Sequence, residues 1–400
     1  MNEKPRVLFV TGTLVKRGGP YVISRIMEKL HKEGIETKLA ACYLQGSSAS
    51  EAEEWWPEKN IDWITVVTTG DSTMRQIAGI EEVKKYLRIH AHEYTHIILD
   101  SWNVFHAWIT SGVSHSNVFH LMQSEGPFEA EDPSVVWKAE LYNVLATLPA
   151  SRIVVSRYLA AVQKRRSEAS VYYMPLFIDK AFFEAEYFVK DREHLTVVST
   201  SGDFLGREKG LDVLIETLTE WHAHFPRFSL TLVSSREIPE DRLKAPFPIT
   251  VCSAKDPADS IRILQTADVA VFTSTNEGWG LCNAEAIALG IPTIALYAGG
   301  NQDFMLGSNA VLVSNGTGSL LSTLISMQDY ATRQMIHMNA RESMRHYQID
   351  ETVRIFKEIL QIKQLGGNSV SVEDENFVKT FGENDNQEDE EDETGRSALD

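Results

Sequence analysis

Residues 267–305 read ADVAVFTSTNEGWGLCNAEAIALGIPTIALYAGGNQDFM. The short β-branched run at residues 269–272 has the character of a buried strand. A polar loop, residues 273–277, leads to the small-residue turn Gly278, Trp279, Gly280. From Leu281 to Leu289 the apolar spacing is helical, and Gly290 with Pro292 stops it. A second strand, residues 292–296, ends in a glycine loop at Gly299 and Gly300. Strand, glycine loop, helix, strand is an order that sets backbone N–H groups and a helix N-terminus at the carboxyl edge of a parallel sheet, where phosphates bind. Two carboxylates mark the unit: Glu277 in the loop and Glu285 on the helix.

Working outward, both halves of the chain alternate strands and helices. At the N-terminus a strand at residues 6–10 meets the glycine turn Gly18, Gly19, Pro20. Pro20 suits the first turn of a helix, and Ile23, Ile26, Met27 and Leu30 give that helix an apolar stripe ending at Gly34. A strand at residues 37–44 completes a βαβ start, which the crossover rule makes parallel. Further strands are predicted at residues 61–67, 97–99, 117–121, 152–155 and 171–176. His120 then falls at or just past the end of a parallel strand. The second half predicts strands at residues 195–200, 230–233 and 249–251 before the opening unit, and helices after Gly318. The fold class is therefore α/β: two Rossmann-like, doubly wound domains facing a cleft. The division expected is 1–180, 181–345, a C-terminal helix at 346–365 and a disordered acidic tail at 366–400. Trp55, Trp56 and Pro57 read as a packed loop, and residues 122–133, with Glu125, Glu129, Glu131 and Asp132, as an acidic one.

Composition narrows the function. The 400 residues are 43% hydrophobic with a net charge of −18. Residues 371–400 hold 2 Lys or Arg against 12 Asp or Glu, so much of the acidity lies in that tail. This balance argues against nucleic-acid binding. No run approaches the ~20 apolar residues of a membrane span, and the chain opens without a secretory signal. Three cysteines at no metal-like spacing fit a reducing compartment. A cytoplasmic protein is expected, with contact to the inner membrane face conceivable through Lys84, Lys85, Arg88 and the run Lys164, Arg165, Arg166.

Three segments offer contacts to a diphosphate across the cleft: Gly18 with Gly19, the turn from Gly278 to Leu281, and the pair Arg207 and Lys209. Fixed cations and backbone donors stabilise a diphosphate leaving group without a metal. No Asp-x-Asp occurs in the globular part, so neither a metal nor another cofactor is expected. Glu285 is placed to accept both hydroxyls of a ribose. Glu277 points toward whatever hangs from the phosphate, where a carboxylate can bind sugar hydroxyls.

With these residues in place, the chain resembles retaining glycosyltransferases of the GT-B fold, the large group 1 family that includes sucrose synthase-like and mannosyltransferase enzymes. Residues 277–301 carry the resemblance, supported by Gly18, Gly19, His120, Ser156 and Lys209 followed by Gly210. The resemblance implies that Glu277 binds the donor sugar and Glu285 the ribose. It implies that Gly18, Gly19, Lys209, Gly278, Trp279, Gly280 and Leu281 hold the diphosphate, and that His120 lies beside the donor sugar. By the same resemblance the first domain, 1–180, would be the acceptor side and the second, 181–345, would bind the nucleotide sugar, with the C-terminal helix crossing back to the first domain. The family also has an arginine five or six residues before the Lys-Gly pair; here Phe204 and Asp203 stand there, leaving Arg207 as the substitute. Residues 121–125 bear a fainter likeness to rhamnosyltransferases of surface-polysaccharide assembly.

The expected function is transfer of a hexose or deoxyhexose from a nucleotide sugar to a glycan, lipid-linked or protein acceptor, with retention at the anomeric carbon. The alternatives are a catalytically weak binding or assembly protein and a nucleotide-sugar epimerase on the same fold.

Overall fold

The apolar run at the N-terminus forms β1 (Arg6–Thr11), whose residues after Arg6 are all buried. A computed structural model describes residues 4–12, 18–44, 61–66, 72–126, 136–314 and 317–361. The packed loop at Trp55, Trp56 and Pro57, most of the acidic loop, including Glu129, Glu131 and Asp132, and the tail 366–400 lie outside these residues.

Around β1 gather β2 (Glu36–Leu44), β3 (Ile61–Val66), β4 (His96–Leu99), β5 (Val118–Met122), β6 (Arg152–Val154) and β7 (Val171–Tyr173). Among the described residues they make one sheet in the order β3-β2-β1-β4-β5-β6-β7, parallel throughout. The helices between them are α1 (Gly18–Lys32), α2 (Ser72–His90), α3 (Trp102–Ser111), α4 (Val136–Thr147) and α5 (Arg157–Arg166). The stripe read from sequence is the buried face of α1: Ile23, Ile26, Met27 and Leu30.

The second sheet has β8 (Leu195–Thr200), β9 (Phe228–Val233), β10 (Ile249–Cys252), β11 (Val269–Phe272), β12 (Thr293–Leu296) and β13 (Val311–Val313). Its order is β10-β9-β8-β11-β12-β13, again parallel. Helices α6 (Lys180–Glu184), α7 (Leu211–His224), α8 (Pro257–Leu264), α9 (Leu281–Leu289), α10 (Thr317–Ser326) and α11 (Tyr330–Ser343) accompany it. Its core is aliphatic around one aromatic stack, Trp221 on Phe228 with centroids 4.5 Å apart. Both sheets are doubly wound, as the alternation of patterns predicts.

The last described helix, α12 (Ile349–Ile359), returns to the first sheet. Phe356 stacks on Phe9 of β1 at 5.9 Å, His96 meets the Leu360 carbonyl at 2.9 Å, and Lys357 pairs with Glu33. The outgoing and returning segments run side by side, with Ile178 N–H donating to the Tyr347 carbonyl at 3.0 Å. Both sheets belong to one unit, Met1–Leu360.

No helix among the described residues is long and apolar enough to cross a membrane. Part of the basic set read as a membrane-facing patch is engaged in ion pairs: Lys84 with Glu81, Lys85 with Glu82, and Arg166 with Glu125.

Candidate active site

Two loops at the carboxyl edge of the second sheet are sewn together before any ligand is considered. Gly210 adopts φ +63°, and a β-carbon there would lie 2.1 Å from the Thr273 carbonyl oxygen, so only glycine fits. The Thr273 hydroxyl donates to the Gly210 carbonyl at 2.8 Å, and Thr275 N–H donates to the Glu208 carbonyl at 2.8 Å. This brings Lys209, from the loop after β8, against Glu277, from the loop after β11, with Nζ 2.9 Å from Oε1. Burial alone would lower the lysine's pKa, but the charge and hydrogen bond of Glu277 more than offset it, and the net direction is up. Glu277 is fixed through its backbone as well: its N–H donates to Ala298 O at 2.7 Å and its carbonyl accepts from Gly300 N–H at 2.9 Å.

Gly280 begins α9 at φ +96° with no side-chain cap. The N–H groups of Leu281, Cys282 and Asn283 therefore lack intrahelical acceptors, and the buried Asn283 Nδ2 has no hydrogen-bond partner. That is a donor-rich site for an anion, with the positive end of the helix dipole behind it. Trp279 presents only its backbone here. Its side chain is buried against Phe304 and Tyr347, at 4.9 and 5.1 Å between centroids. Glu285 lies one turn further along α9. Burial, reinforced by the charge of Asp179, pushes its carboxyl up to about 8. Asp179, at the start of the segment leaving the first sheet, accepts from Tyr21 Oη of α1 at 3.0 Å.

The first half closes the opposite wall through Gln123, immediately after β5. A β-carbon on Gly278 would sit 2.0 Å from the Gln123 carbonyl oxygen, and one on Gly19 would sit 2.7 Å from Gln123 Nε2. Gly19, Gln123 and Gly278 thus meet, and α1 begins at this seam. Beside it the Tyr158 ring lies over Gly299, its hydroxyl donating to Glu125 at 2.6 Å. The Asp303 carboxylate accepts from Arg157 N–H at 2.9 Å, which sets an acidic group from the second half on the N-terminus of α5.

His120 does not stand beside this cleft. It is the middle residue of β5, 1% exposed, stacked on Phe105 at 4.6 Å and edge-on to Trp102 at 4.7 Å. Burial, with the charge of Arg152 on the neighbouring strand, lowers its pKa to about 3. The strand runs two residues beyond His120, so its end delivers Gln123 instead. A register shift of this kind is what periodicity resolves least well when every residue of a strand is apolar or buried.

Arg207 is exposed on the turn that precedes Lys209. Phe204 belongs to the core of the second sheet, and Asp203 pairs with Arg236 at 3.1 Å. Arg236 follows β9, the strand next to β8, and is a basic residue that sequence reading missed. Its signal was its position just past a strand end in the same half. Asp179 and Tyr158 were missed for another reason: a turn carboxylate and a helix tyrosine carry no motif, while Gln123 stood only within the faint likeness at residues 121–125. Among the described residues no group of three or more His, Cys, Asp or Glu converges as a metal site.

Residues 196–327 match the family model described as glycosyl transferases group 1. The GtfA subunit of a UDP-N-acetylglucosamine–peptide N-acetylglucosaminyltransferase from Streptococcus pneumoniae serotype 4 is 30% identical over 170 residues, which are 39% of this chain. The match spans only about a third, 32%, of that protein's length. Sucrose-phosphate synthase from Thermosynechococcus elongatus superposes with a TM-score of 0.71 at 17% identity, covering 89% of this chain and 98% of that one. Anabaena Alr3699/HepE, solved with UDP and glucose, gives 0.66 at 15% identity, with 89% and 99% covered. TarM gives 0.68 at 9% identity, with 90% and 99% covered. The chain has the GT-B fold, and its residues 196–327 are similar to the glycosyl transferases group 1 family.

Proposed function

We propose that the chain transfers a hexose or deoxyhexose from a uridine diphosphate sugar to a hydroxyl-bearing acceptor, with retention at the anomeric carbon. The observation that carries this reading is the Lys209–Glu277 pair set beside the uncapped start of α9. One group there suits a phosphate and the other a sugar hydroxyl. The diphosphate lies on the N–H groups of residues 281–283, with Lys209 and the backbone at Gly19 and Gly278 alongside. Glu277 accepts hydrogen bonds from the donor sugar, and Glu285, when ionised, from both ribose hydroxyls. The uridine base is supported by HepE, solved with UDP and glucose and with UDP-glucose, and by the UDP-N-acetylglucosamine in the name of the curated relative.

In the transfer step the acceptor oxygen bonds to the anomeric carbon on the face from which the diphosphate departs. The electron pair of the breaking C–O bond leaves with the diphosphate, and the acceptor proton passes to the departing phosphate oxygen. No metal is required of these residues. Backbone N–H groups and Lys209 meet the charge that develops.

A thermal-shift panel of UDP-, GDP-, ADP- and dTDP-sugars, followed by donor hydrolysis with the wild type and Glu277→Ala, tests the proposal. A ligand at ~100 times its Kd stabilises by roughly 2.7 kcal/mol, a shift of several degrees. The expected result is a shift with UDP-sugars and hydrolysis lost in the variant. No shift with any nucleotide, or equal inertness of both proteins, would sink it. A binding protein of low activity is the second reading. It is favoured by Phe204, a core residue where the family has a cation.

A further inference from the structure

The start of α5 makes a further contact between the halves. Met122, the last residue of β5, pairs with Val154 of β6, so Gln123 and the two residues that lead into α5 leave the sheet edge side by side. Glu125 ties the two segments together, accepting from the Tyr158 hydroxyl at 2.6 Å and pairing with Arg166 at 3.2 Å. From the other half comes the turn at Gly300–Asp303. Its Asp303 Oδ2 accepts from Arg157 N–H at 2.9 Å, one of the first-turn donors that a helix cannot satisfy internally. Ser156 satisfies another from within the first half, its hydroxyl accepting from Leu159 N–H at 3.1 Å. The helix thus has one cap from each half of the chain.

The setting of the Asp303 carboxyl lies largely in the first half. Burial raises its pKa, and what opposes the rise is the Arg157 N–H, the Arg157 charge and the Tyr173 hydroxyl at the end of β7. The Arg157 guanidinium lies over the Tyr173 ring, 5.8 Å from its centroid. The same turn leads back into the donor loops. Gly300 N–H donates to the Glu277 carbonyl at 2.9 Å, and Glu277 precedes Gly278, whose close approach to Gln123 forms the seam. Gln123, α5, Asp303 and the Glu277–Gly278 loop therefore form a closed ring of contacts, and the donor seam is one link of it.

We propose that Asp303 is a positioning residue of the donor site: by capping α5 from the opposite half, it holds the wall of Gly19 and Gln123 against Gly278 and the start of α9. This rests on the donor reading above. Asp303 acts through α5 and takes no part in the chemistry. A nucleotide lodged between the two walls leaves when they part. The strength of this one charge-assisted cap therefore sets how long UDP is held.

Asp303→Ala removes the cap, and Asp303→Asn keeps an oxygen for the N–H while losing the charge. Release of UDP is followed by chasing N-methylanthraniloyl-UDP, a fluorescent analogue, from each protein with excess UDP. The expected result is release about 10-fold faster in the alanine variant, with a smaller increase in the asparagine variant. Asp329→Ala is the control, because Asp329 caps α11 within the second half, accepting from Thr332 N–H at 2.8 Å. Its release rate should stay within about twofold of wild type. The second arm needs no nucleotide. Hydrogen exchange in the Asp303 variants should quicken at residues 121–126 and 276–281, across the ring of contacts, as well as at residues 157–160. Unchanged release, or faster exchange confined to residues 157–160, overturns the assignment, since Asp303 is then a helix cap and nothing more. If the wild type binds no UDP the donor reading fails by itself, and the exchange arm still decides for or against Asp303.

Discussion

With its carboxyl group pushed up to about 8, Glu285 keeps a proton in the folded state over a range where the unfolded chain has lost it. The folded form binds more protons there, so stability falls as pH rises from the ordinary value of 4.5 through about 8. Glu285→Gln removes that dependence. Its melting temperature should exceed wild type by roughly 2–5 °C near pH 9 and match it near pH 4, as calorimetry across pH would read. On the proposed donor site the same variant should bind UDP at least about 10-fold more weakly, because the charge that burdens folding is the one assigned there to ribose. His120 runs the other way. A histidine held down to about 3 stays neutral when folded, and its contribution to stability is lost as pH falls below 6.5, where the unfolded chain takes up the proton. Because His120 acts through stacking, His120→Phe should leave donor hydrolysis within about threefold of wild type. A loss as deep as that of Glu277→Ala would return it to the cleft.

At the scale of elements, the unit from β11 to the glycine loop was the most legible part of the chain. Its strand, turn, helix and stop residues each have a local cause that one sequence displays: the β-branched run, Gly280 at φ +96° and Gly290 at φ +93°. The seam was not legible, because it depends on two loops meeting. Gly300 shows why. A β-carbon there would lie 2.1 Å from the Gly278 carbonyl oxygen, a requirement that arises only when both loops are folded. Gly300→Ala should destabilise by about 1–3 kcal/mol and weaken UDP binding in parallel, measured by denaturant melts with and without nucleotide. Retained UDP affinity would show that the loop tolerates displacement. The position of His120 was misread for the same kind of reason, since β5 is buried over its whole length and offers no alternation to fix where it ends.

For the whole molecule, the alternation of patterns was enough to specify two doubly wound sheets, and the family resemblance implied that the C-terminal helix expected at 346–365 crosses back to the first. What joins the halves was beyond reach, because Asp303 on the start of α5 and Ile178 beside Tyr347 are pairings between distant residues with no local signature. Phe356→Ala tests the closing helix. Removing a ring that is fully buried against Phe9 should cost about 3–5 kcal/mol. A melt probed in both sheets should show the first loosening before the second. If the two sheets still melt together, the helix is not what secures the first one.

That closing helix also imposes an order of events on a chain made from its N-terminus. Phe9 leaves the ribosome long before Phe356, the ring that covers it, and Glu33 waits for a partner 324 positions later. Until then one face of the first sheet has no lid, and contacts of such long range form slowly. The newborn first half therefore passes through a period of exposed apolar surface, with its dependence on chaperones set by the time needed to translate the second.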